Sequence, residues 1–599
     1  MLQYFNPFII PFVIGVLLLL GICLIKWSKW IRNFNRMQRT LLRKNILSWK
    51  FIPAIWEMIT EVLLHRKVFK HKILLGYMHA SIALGWFLLI VVGAIEASVA
   101  IEGSHPLWVP IFFRYFGKEL SHFKGEMFFN HFMDLLLCII LSGILIAFIK
   151  RFYSRIVGMK RAAKHVIFDK FTMVSLWLIF PLRLLAESVT ANRFHNGGFL
   201  TGGLGTFINY AFPSVSNTAF WYLETTWWLF YSLALGVFFT SLPFSRYMHI
   251  LTEPFLIYFR KLGIREDVKP TGFTKFELSA CSRCGICIDH CPLFKELKIT
   301  DVQSIYLLRE IRYKRLKEEI ANNCSMCDRC VVECPVGLEL TRIRRQMRYK
   351  KDLDTSNNYK YVDAIQPFNA IGRIAYYSGC MSHLTPGIIK AMKNIFEAAG
   401  QKYWHIDEEK TICCGRPLLQ QGFEQQATEL RRKNTSLIRE SHATLLVTSC
   451  PICYQSFKKE YKLNIPVMHH TEYIEKCIKE KKIKITKQDL KVAYHDPCEL
   501  GRGCGVYNAP RNVLKNVVTL LPVREDQEQS LCCGFNLGNT TLEIDDQRKI
   551  RDAALKNLLK KQPDLIATAC PMCKKALVNG TDYPVKDVAE IVWEGIFKI

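Results

Sequence analysis

Five apolar stretches crowd the first 245 residues of this chain. Leu17-Leu18-Leu19-Leu20, Ile82 to Ile95, Leu135 to Phe148, Met173 to Leu185 and Trp227 to Leu242 mark them. Each lies in an apolar run of roughly 18–25 residues, the length that crosses about 30 Å of hydrocarbon as a helix. In lipid a spanning segment satisfies its own backbone hydrogen bonds, so these runs dictate helices. The first has no basic segment ahead of it and no small-x-small cleavage site behind it, and reads as a retained anchor. The 50% hydrophobic content of the 599 residues is high for a purely soluble chain, as five spans require.

The formal charge of +28 raises the question of a nucleic-acid partner, and the positions of the basic residues answer it. Lys26, Lys29, Arg32, Arg36, Arg39, Arg43 and Lys44 follow the first span, and Lys150, Arg151, Arg155, Lys160, Arg161 and Lys164 follow the third. The Ala97 to Met127 loop nearly balances its charges, and Ala191 to Thr218 carries only Arg193. The positive-inside rule then places the N-terminus outside and everything after the fifth span in the cytoplasm. A multi-pass protein of the cytoplasmic (inner) membrane explains much of the basic excess without nucleic acid.

Nearly all of the 22 cysteines fall in that cytoplasmic half, where thiols stay reduced and metal clusters are their natural use. Cys281-Ser-Arg-Cys284-Gly-Ile-Cys287-Ile-Asp-His-Cys291-Pro292 and Cys324-Ser-Met-Cys327-Asp-Arg-Cys330-Val-Val-Glu-Cys334-Pro335 are two copies of the bacterial ferredoxin run. In such a run three close thiolates hold one [4Fe-4S] cubane and the fourth turns to the other. Cluster one is expected on Cys281, Cys284, Cys287 and Cys334, and cluster two on Cys324, Cys327, Cys330 and Cys291. Zinc is the alternative, but C-x2-C-x2-C suits one tetrahedral ion poorly. Val302 to Ile320 is expected to form a lengthened connecting helix.

The remaining residues repeat themselves. Cys380, Cys413-Cys414-Gly415 and Cys450-Pro-Ile-Cys453 recur as Cys498, Cys532-Cys533-Gly534 and Cys570-Pro-Met-Cys573, at offsets of 118 (498 − 380), 119 (532 − 413) and 120 (570 − 450). β-prone runs before the cysteines and helical patterns between them, such as Gly387 to Ala399 and Ala427 to Ser441, predict two α/β halves with cysteines at strand ends. Ligand sites gather there in open sheets. These motifs resemble the five-cysteine CCG motifs of heterodisulfide-reductase-like proteins. The resemblance implies one non-cubane [4Fe-4S] cluster on Cys380, Cys413, Cys414, Cys450 and Cys453 and another on Cys498, Cys532, Cys533, Cys570 and Cys573. These ten cysteines are the expected catalytic residues. A vicinal pair cannot enter an ordinary cubane without strain, which agrees with an opened cluster. The alternative is one working site and one relic. Cys23, Cys138, Cys477 and Cys504 lie outside every pattern and read as ordinary buried thiols.

The domain order resembles the fused membrane iron–sulfur proteins that link electron-transfer flavoprotein to menaquinone. The membrane part resembles the gamma subunit of respiratory nitrate reductase, a five-helix cytochrome b with haem ligands on its second and fifth helices. His79 begins span two and His249 ends span five, at matched depth near the inner face. The resemblance makes them ligands of one haem b, and Leu89 and Tyr231 stand where a second pair would lie. Capping or packing is the alternative role for either histidine. His65 and His71 sit among basic residues and read as solvated. Ionisable groups at membrane depth mark sites, so His131, Asp134, Arg183, Glu187 and Glu224 are the candidates for a menaquinone pocket. A structural Arg183–Glu187 pair is the competing reading.

The expected fold is a five-helix transmembrane bundle, cytochrome b-like, over residues 1–260, with a linker at 261–275. An α+β dicluster ferredoxin domain at 276–350 and a duplicated α/β CCG domain at 370–480 and 488–599 follow. The expected function is an oxidoreductase passing electrons from a soluble partner, electron-transfer flavoprotein, through the CCG clusters, the cubanes and haem b to membrane menaquinone. One rival is a disulfide reductase fed by a reduced quinone-like carrier. Another is a non-catalytic redox subunit of a larger complex. No GxGxxG fingerprint with its acidic partner follows a strand, so no internal flavin or nicotinamide site is expected.

Overall fold

A computed structural model of the chain describes residues 4–101, 103–118, 123, 125–153, 165–194, 196–212, 217–265, 269–348, 373–409, 411–539 and 541–597. Arg155, Lys160, Arg161 and Lys164 of the second basic loop lie outside the described residues, as do the expected boundaries at 350, 370 and 599. The chain divides into two compact units, Met1–Gly285 and Ile286–Ile599.

In the first unit the apolar runs form α1 (Ile10–Arg32), α2 (Ile73–Ala100), α3 (Glu126–Phe152), α4 (Ile167–Phe194) and α5 (Asn217–Ser241). All five are long and apolar enough to cross a membrane. α5 packs along α4 and α1, and α2 along α3. The α1–α5 approach is close because Gly15 faces Gly236: a Cβ on Gly15 would sit 2.7 Å from the Gly236 Cα. Small residues serve this purpose in lipid, where van der Waals packing replaces the hydrophobic drive between helices. Phe8, Phe112, Phe180, Trp228, Tyr231 and Phe238 fill the core.

The fifth span differs from expectation at its end. Pro243, in the 3-10 turn Leu242–Phe244, brings no N–H to the ladder. Ser245 turns extended and caps the next turn through its hydroxyl. His249 therefore does not end the span but begins a separate helix, α6 (His249–Lys261). The Gly272–Ala280 helix packs on α6 and α1, with Phe276 set between Trp30 and Phe259 at ring distances of 5.0 and 5.1 Å. Residues on both sides of the expected linker thus fold with the membrane unit.

In the second unit the expected connecting helix is split into Ser304–Arg312 and Glu318–Asn322. Lys314, at φ 56°, breaks it between the two. Beyond it lie two four-stranded parallel sheets, β2-β1-β3-β4 and β6-β5-β7-β8. Their strands are β1 (Ile374–Tyr377), β2 (Tyr403–His405), β3 (Leu445–Thr448), β4 (Val467–His469), β5 (Lys491–His495), β6 (Thr519–Leu521), β7 (Leu565–Thr568) and β8 (Val585–Asp587). Register repeats too: Ile374 pairs with Leu445 as Val492 pairs with Leu565. The helices that follow the strands include α7 (Pro386–Ala398), α8 (Pro451–Lys459), α9 (His470–Lys479), α10 (Asn508–Val517), α11 (Pro571–Val578) and α12 (Val588–Phe597). The first helix of each half packs on the last helix of the other, α7 on α12 and α10 on α9. This reciprocity is that of a two-fold pair. Met392, Phe396, Tyr473, Val513, Val517 and Val592 join both halves in one core.

Candidate metal centres

Cys291, Cys324, Cys327 and Cys330, the expected cluster-two set, line one cavity together with Cys287 of the expected first set, walled also by Ser304, Thr341 and Arg344. The loop reaches this shape through left-handed residues: Met326 at φ 52° and Asp328 at φ 59°. Such angles are uncommon outside glycine and persist where surroundings over-determine them. The first run repeats them at Arg283, φ 54°, and Gly285, φ 92°. The Met326 amide donates to Cys324 Sγ at 3.3 Å, and the Ser304 hydroxyl stands 3.4 Å from Cys330 Sγ. Burial and then the nearby Cys324 and Cys327 push the Cys291 thiol up to about 12. Clustered thiols of this kind ionise together only when a cation takes the charge, so the donor set fits a metal cluster. The unit boundary at Gly285 falls inside the first run, and the set Cys281, Cys284, Cys287 and Cys334 rests on spacing alone.

The CCG cysteines sit at the carboxyl ends of the central strands. Cys380 follows β1 and Cys450 follows β3, where the strand order reverses, and Cys498 and Cys570 do the same after β5 and β7. Open α/β sheets bind ligands at that crevice. Gly415 (φ 78°) and Gly534 (φ 84°) turn the chain after each vicinal pair, and each donates its amide to the first sulfur of the pair, Cys413 or Cys532, at 3.4 Å. Cys450 and Cys570 cap α8 and α11, with Pro451 and Pro571 in the first helical position and Cys453 and Cys573 in the first turn. Despite the positive end of the helix dipole there, hydrogen bonding to Cys414 or Cys533 and burial push the Cys453 and Cys573 thiols up.

The Cys573 and Cys533 sulfurs are 3.5 Å apart. In each vicinal pair the second thiol, Cys414 or Cys533, is pulled below its ordinary range by hydrogen bonds from its neighbour and from Cys453 or Cys573. Gly379, at φ 86°, lets the Cys380 loop pass Cys450, because a Cβ would lie 2.8 Å from the Cys450 Cβ. Asp407 fixes that loop through the amides of Ser378 and Gly379, both at 2.8 Å. Burial opposes its ionisation, but hydrogen bonds from His383, His405 and Ser378 hold its carboxyl well below the usual range.

Packing orders these sites within the second unit. Cys327 of cluster two shares a buried apolar cluster with Cys532 and packs beside Cys498. Arg502 holds the contact, donating to the Cys327 carbonyl at 2.7 Å and the Ser530 carbonyl at 2.9 Å. Arg348 donates to the carbonyls of Cys324, Gln420 and Gly538, which lie in the ferredoxin segment and both repeats. Cys450 stands close enough to Cys570 for the charge of one to act on the other. Nothing in the cysteine spacing points to Arg348 or Arg502. Of the four remaining cysteines, Cys23 and Cys477 are buried and Cys138 and Cys504 half-buried.

In the membrane unit His79 lies near His249, Lys150 and Arg246. The His249 Nδ1 is 2.9 Å from the Arg246 carbonyl. His65 is not simply solvated: its ring stacks on that of His79 at 5.4 Å, and burial holds its pKa below the ordinary value. His71 is half-buried. The expected quinone-pocket residues each have protein partners. Asp134 accepts from the amides of Leu200 (2.7 Å) and Thr201 (2.9 Å) and caps a helix, while His131 is exposed and stands 2.8 Å from the Met127 carbonyl. Arg183 and Glu187 form a buried pair at 2.9 Å. Glu224 accepts from Thr190 (2.9 Å), Arg193 (2.6 Å) and Lys118 (3.3 Å). Asp169, at the start of α4, was absent from the expected set. It binds Arg283 at 2.8 and 2.9 Å and the Arg246 amide at 2.7 Å.

Residues 374–458 and 492–577 match the CCG family, described as a cysteine-rich domain, and 277–338 match a 4Fe-4S dicluster domain. The chain is 23% identical to the EtfAB:quinone oxidoreductase of Syntrophomonas wolfei, covering 98% of this chain and 96% of that one. It is 25% identical to one subunit of the dihydromethanophenazine:CoB–CoM heterodisulfide reductase of Methanosarcina barkeri, over 54% of this chain and 96% of that one. It is 23% identical to the probable iron-sulfur-binding oxidoreductase FadF of Bacillus subtilis, over 88% of each. With these domains and relatives, the chain is an iron–sulfur oxidoreductase similar to the heterodisulfide reductase subunit and to the EtfAB:quinone oxidoreductase.

Proposed function

We propose that the chain passes electrons between a soluble flavoprotein and a membrane quinone. The observation that carries this reading is the contact of Cys327 with Cys532 and Cys498, which sets cluster-two ligands against the second CCG set in a chain with five membrane helices. Likeness to the Syntrophomonas EtfAB:quinone oxidoreductase over nearly its whole length supports this reading, with electron-transfer flavoprotein as the proposed partner and menaquinone as the proposed acceptor. Two cubanes, two non-cubane clusters and one haem b, when bound, supply the one-electron carriage that joins a two-electron flavin to a two-electron quinone.

The residues divide the remaining work. The ten CCG cysteines and the eight ferredoxin cysteines hold iron, and Arg348 and Arg502 keep the sites of the second unit in register. His79 and His249 are the proposed haem ligands, and the charges of Lys150 and Arg246 act on His79. The iron–sulfur half is proposed to be cytoplasmic, so a reporter fused after Ile599 and active only outside should stay silent. A strong signal would overturn that orientation.

A second reading is favoured by the nearness of Cys450 to Cys570: two complete CCG sets side by side suit a disulfide substrate. One experiment separates the two. Reduced electron-transfer flavoprotein or a disulfide is added to purified protein and haem absorbance is followed. Reduction by the flavoprotein supports the first reading, and oxidation by the disulfide alone supports the second.

A further inference from the structure

We propose that the quinone ring binds in an apolar pocket between the Phe51–Met58 helix and α6. This rests on the quinone reading above and gives it a location different from the one the sequence suggested.

The pocket is an open groove of about 550 Å³ lined by Ser48, Trp49, Phe51, Ile52, Phe255 and Tyr258 among others. Ligand pockets fall in this size range, with apolar walls and few polar groups. Four aromatic side chains suit a flat ring better than a disordered acyl chain. Buried donors lack protein partners here. Ser48 Oγ lines the pocket without one; Trp27 is not a lining residue, but its Nε1 is likewise buried without a partner and its ring packs on Phe255 of the pocket wall with centroids 4.7 Å apart. A quinone offers two carbonyl oxygens to such donors, whereas unmet buried donors are costly.

The pocket also adjoins the proposed redox path. Phe255 lies six residues along α6 from His249, about 9 Å at the helical rise. Glu253, between them in sequence and 8% exposed, offers a protonatable carboxyl. Burial pushes it up to about 8, against Arg260 and Lys67 and with Glu61 and Glu57 adding to the rise. The outer candidates Asp134, Arg183, Glu187 and Glu224 are by contrast engaged in caps and ion pairs. The reaction balances as quinone plus two electrons plus two protons giving quinol, each carbonyl oxygen gaining one hydrogen. The electrons come from the reduced flavin of the soluble partner and the protons from water.

The test is photolabelling of the full chain in phospholipid nanodiscs with an azido-menaquinone, followed by peptide mapping. Adducts within residues 46–58 or 254–258, displaced by excess menaquinone but not by added phospholipid, are expected. Ser48→Ala should raise the quinone KM about tenfold and leave cluster reduction by flavoprotein unchanged. Adducts confined to the ends of α3, α4 or α5 around residues 134, 187 and 224, or equal displacement by phospholipid, would overturn the location while leaving the quinone reading standing. No specific adduct together with no quinone reduction by the wild-type protein would overturn both.

Discussion

Asp169, buried at the start of a membrane helix, holds the guanidinium of Arg283 at two points, and Arg283 stands between Cys281 and Cys284 of the first ferredoxin run. The same carboxylate accepts the amide of Arg246, whose carbonyl faces the ring of His249. One acidic side chain thus ties expected iron ligands to an expected haem ligand within a single compact unit.

Asp169→Asn keeps the side-chain size but removes the negative charge that pairs with the buried Arg283. Breaking such a pair costs on the order of 3–5 kcal/mol. The Cys281–Cys284 loop should loosen and one cubane should be lost, lowering iron by about four per chain. Iron analysis with electron paramagnetic resonance checks this, and a full iron complement with unchanged spectra would count against the tie.

The glycines after the vicinal cysteines should differ in tolerance. A Cβ on Gly415 would meet the Ala427 carbonyl at 3.3 Å, whereas one on Gly534 would collide with the Gln547 carbonyl and lie 3.2 Å from the Arg551 amide. Both positions have positive φ, worth about 1–2 kcal/mol of strain for alanine. Gly415→Ala should therefore bind iron with a lowered melting temperature, and Gly534→Ala should lose the second CCG cluster. Equal behaviour of the two variants in iron content and thermal denaturation would contradict this.

The proposed two cubanes and two four-iron CCG clusters would amount to about sixteen irons per chain besides the proposed haem. Cys533→Ser should lower this to about twelve and leave the cubane spectra in place, because their eight ligands lie elsewhere. Wild-type iron already near twelve would mean that one CCG copy is empty.

His249→Ala should abolish the haem absorbance band and stop electron flow between quinone and clusters, while cluster iron remains at its wild-type level. A pyridine haemochrome assay should give one haem per chain in the wild type. Two haems would show a second ligand pair, and none would leave the five helices as an anchor carrying the quinone pocket.

Much of this protein is legible in the sequence because the signals are local. Span length is set by hydrocarbon thickness, the three close cysteines of each ferredoxin run by the reach of a short loop, and the repeat by a near-constant offset of 118–120 residues. All three survive without knowledge of any long-range contact, and the five helices, the two α/β halves and the strand-end cysteines are legible from local patterns, whereas the parallel order of the strands came from the structure. What tertiary structure alone decided concerns residues far apart in the chain. Asp134 reads as a site residue by its depth, but it caps a helix some 65 residues away because amides there need an acceptor that lipid cannot supply. His249 reads as the end of a span until Pro243 and Ser245 break the helix before it. The meeting of Cys327 with Cys532, more than 200 positions apart, depends on how the ferredoxin segment packs on the second repeat, and spacing within either motif carries no record of that packing.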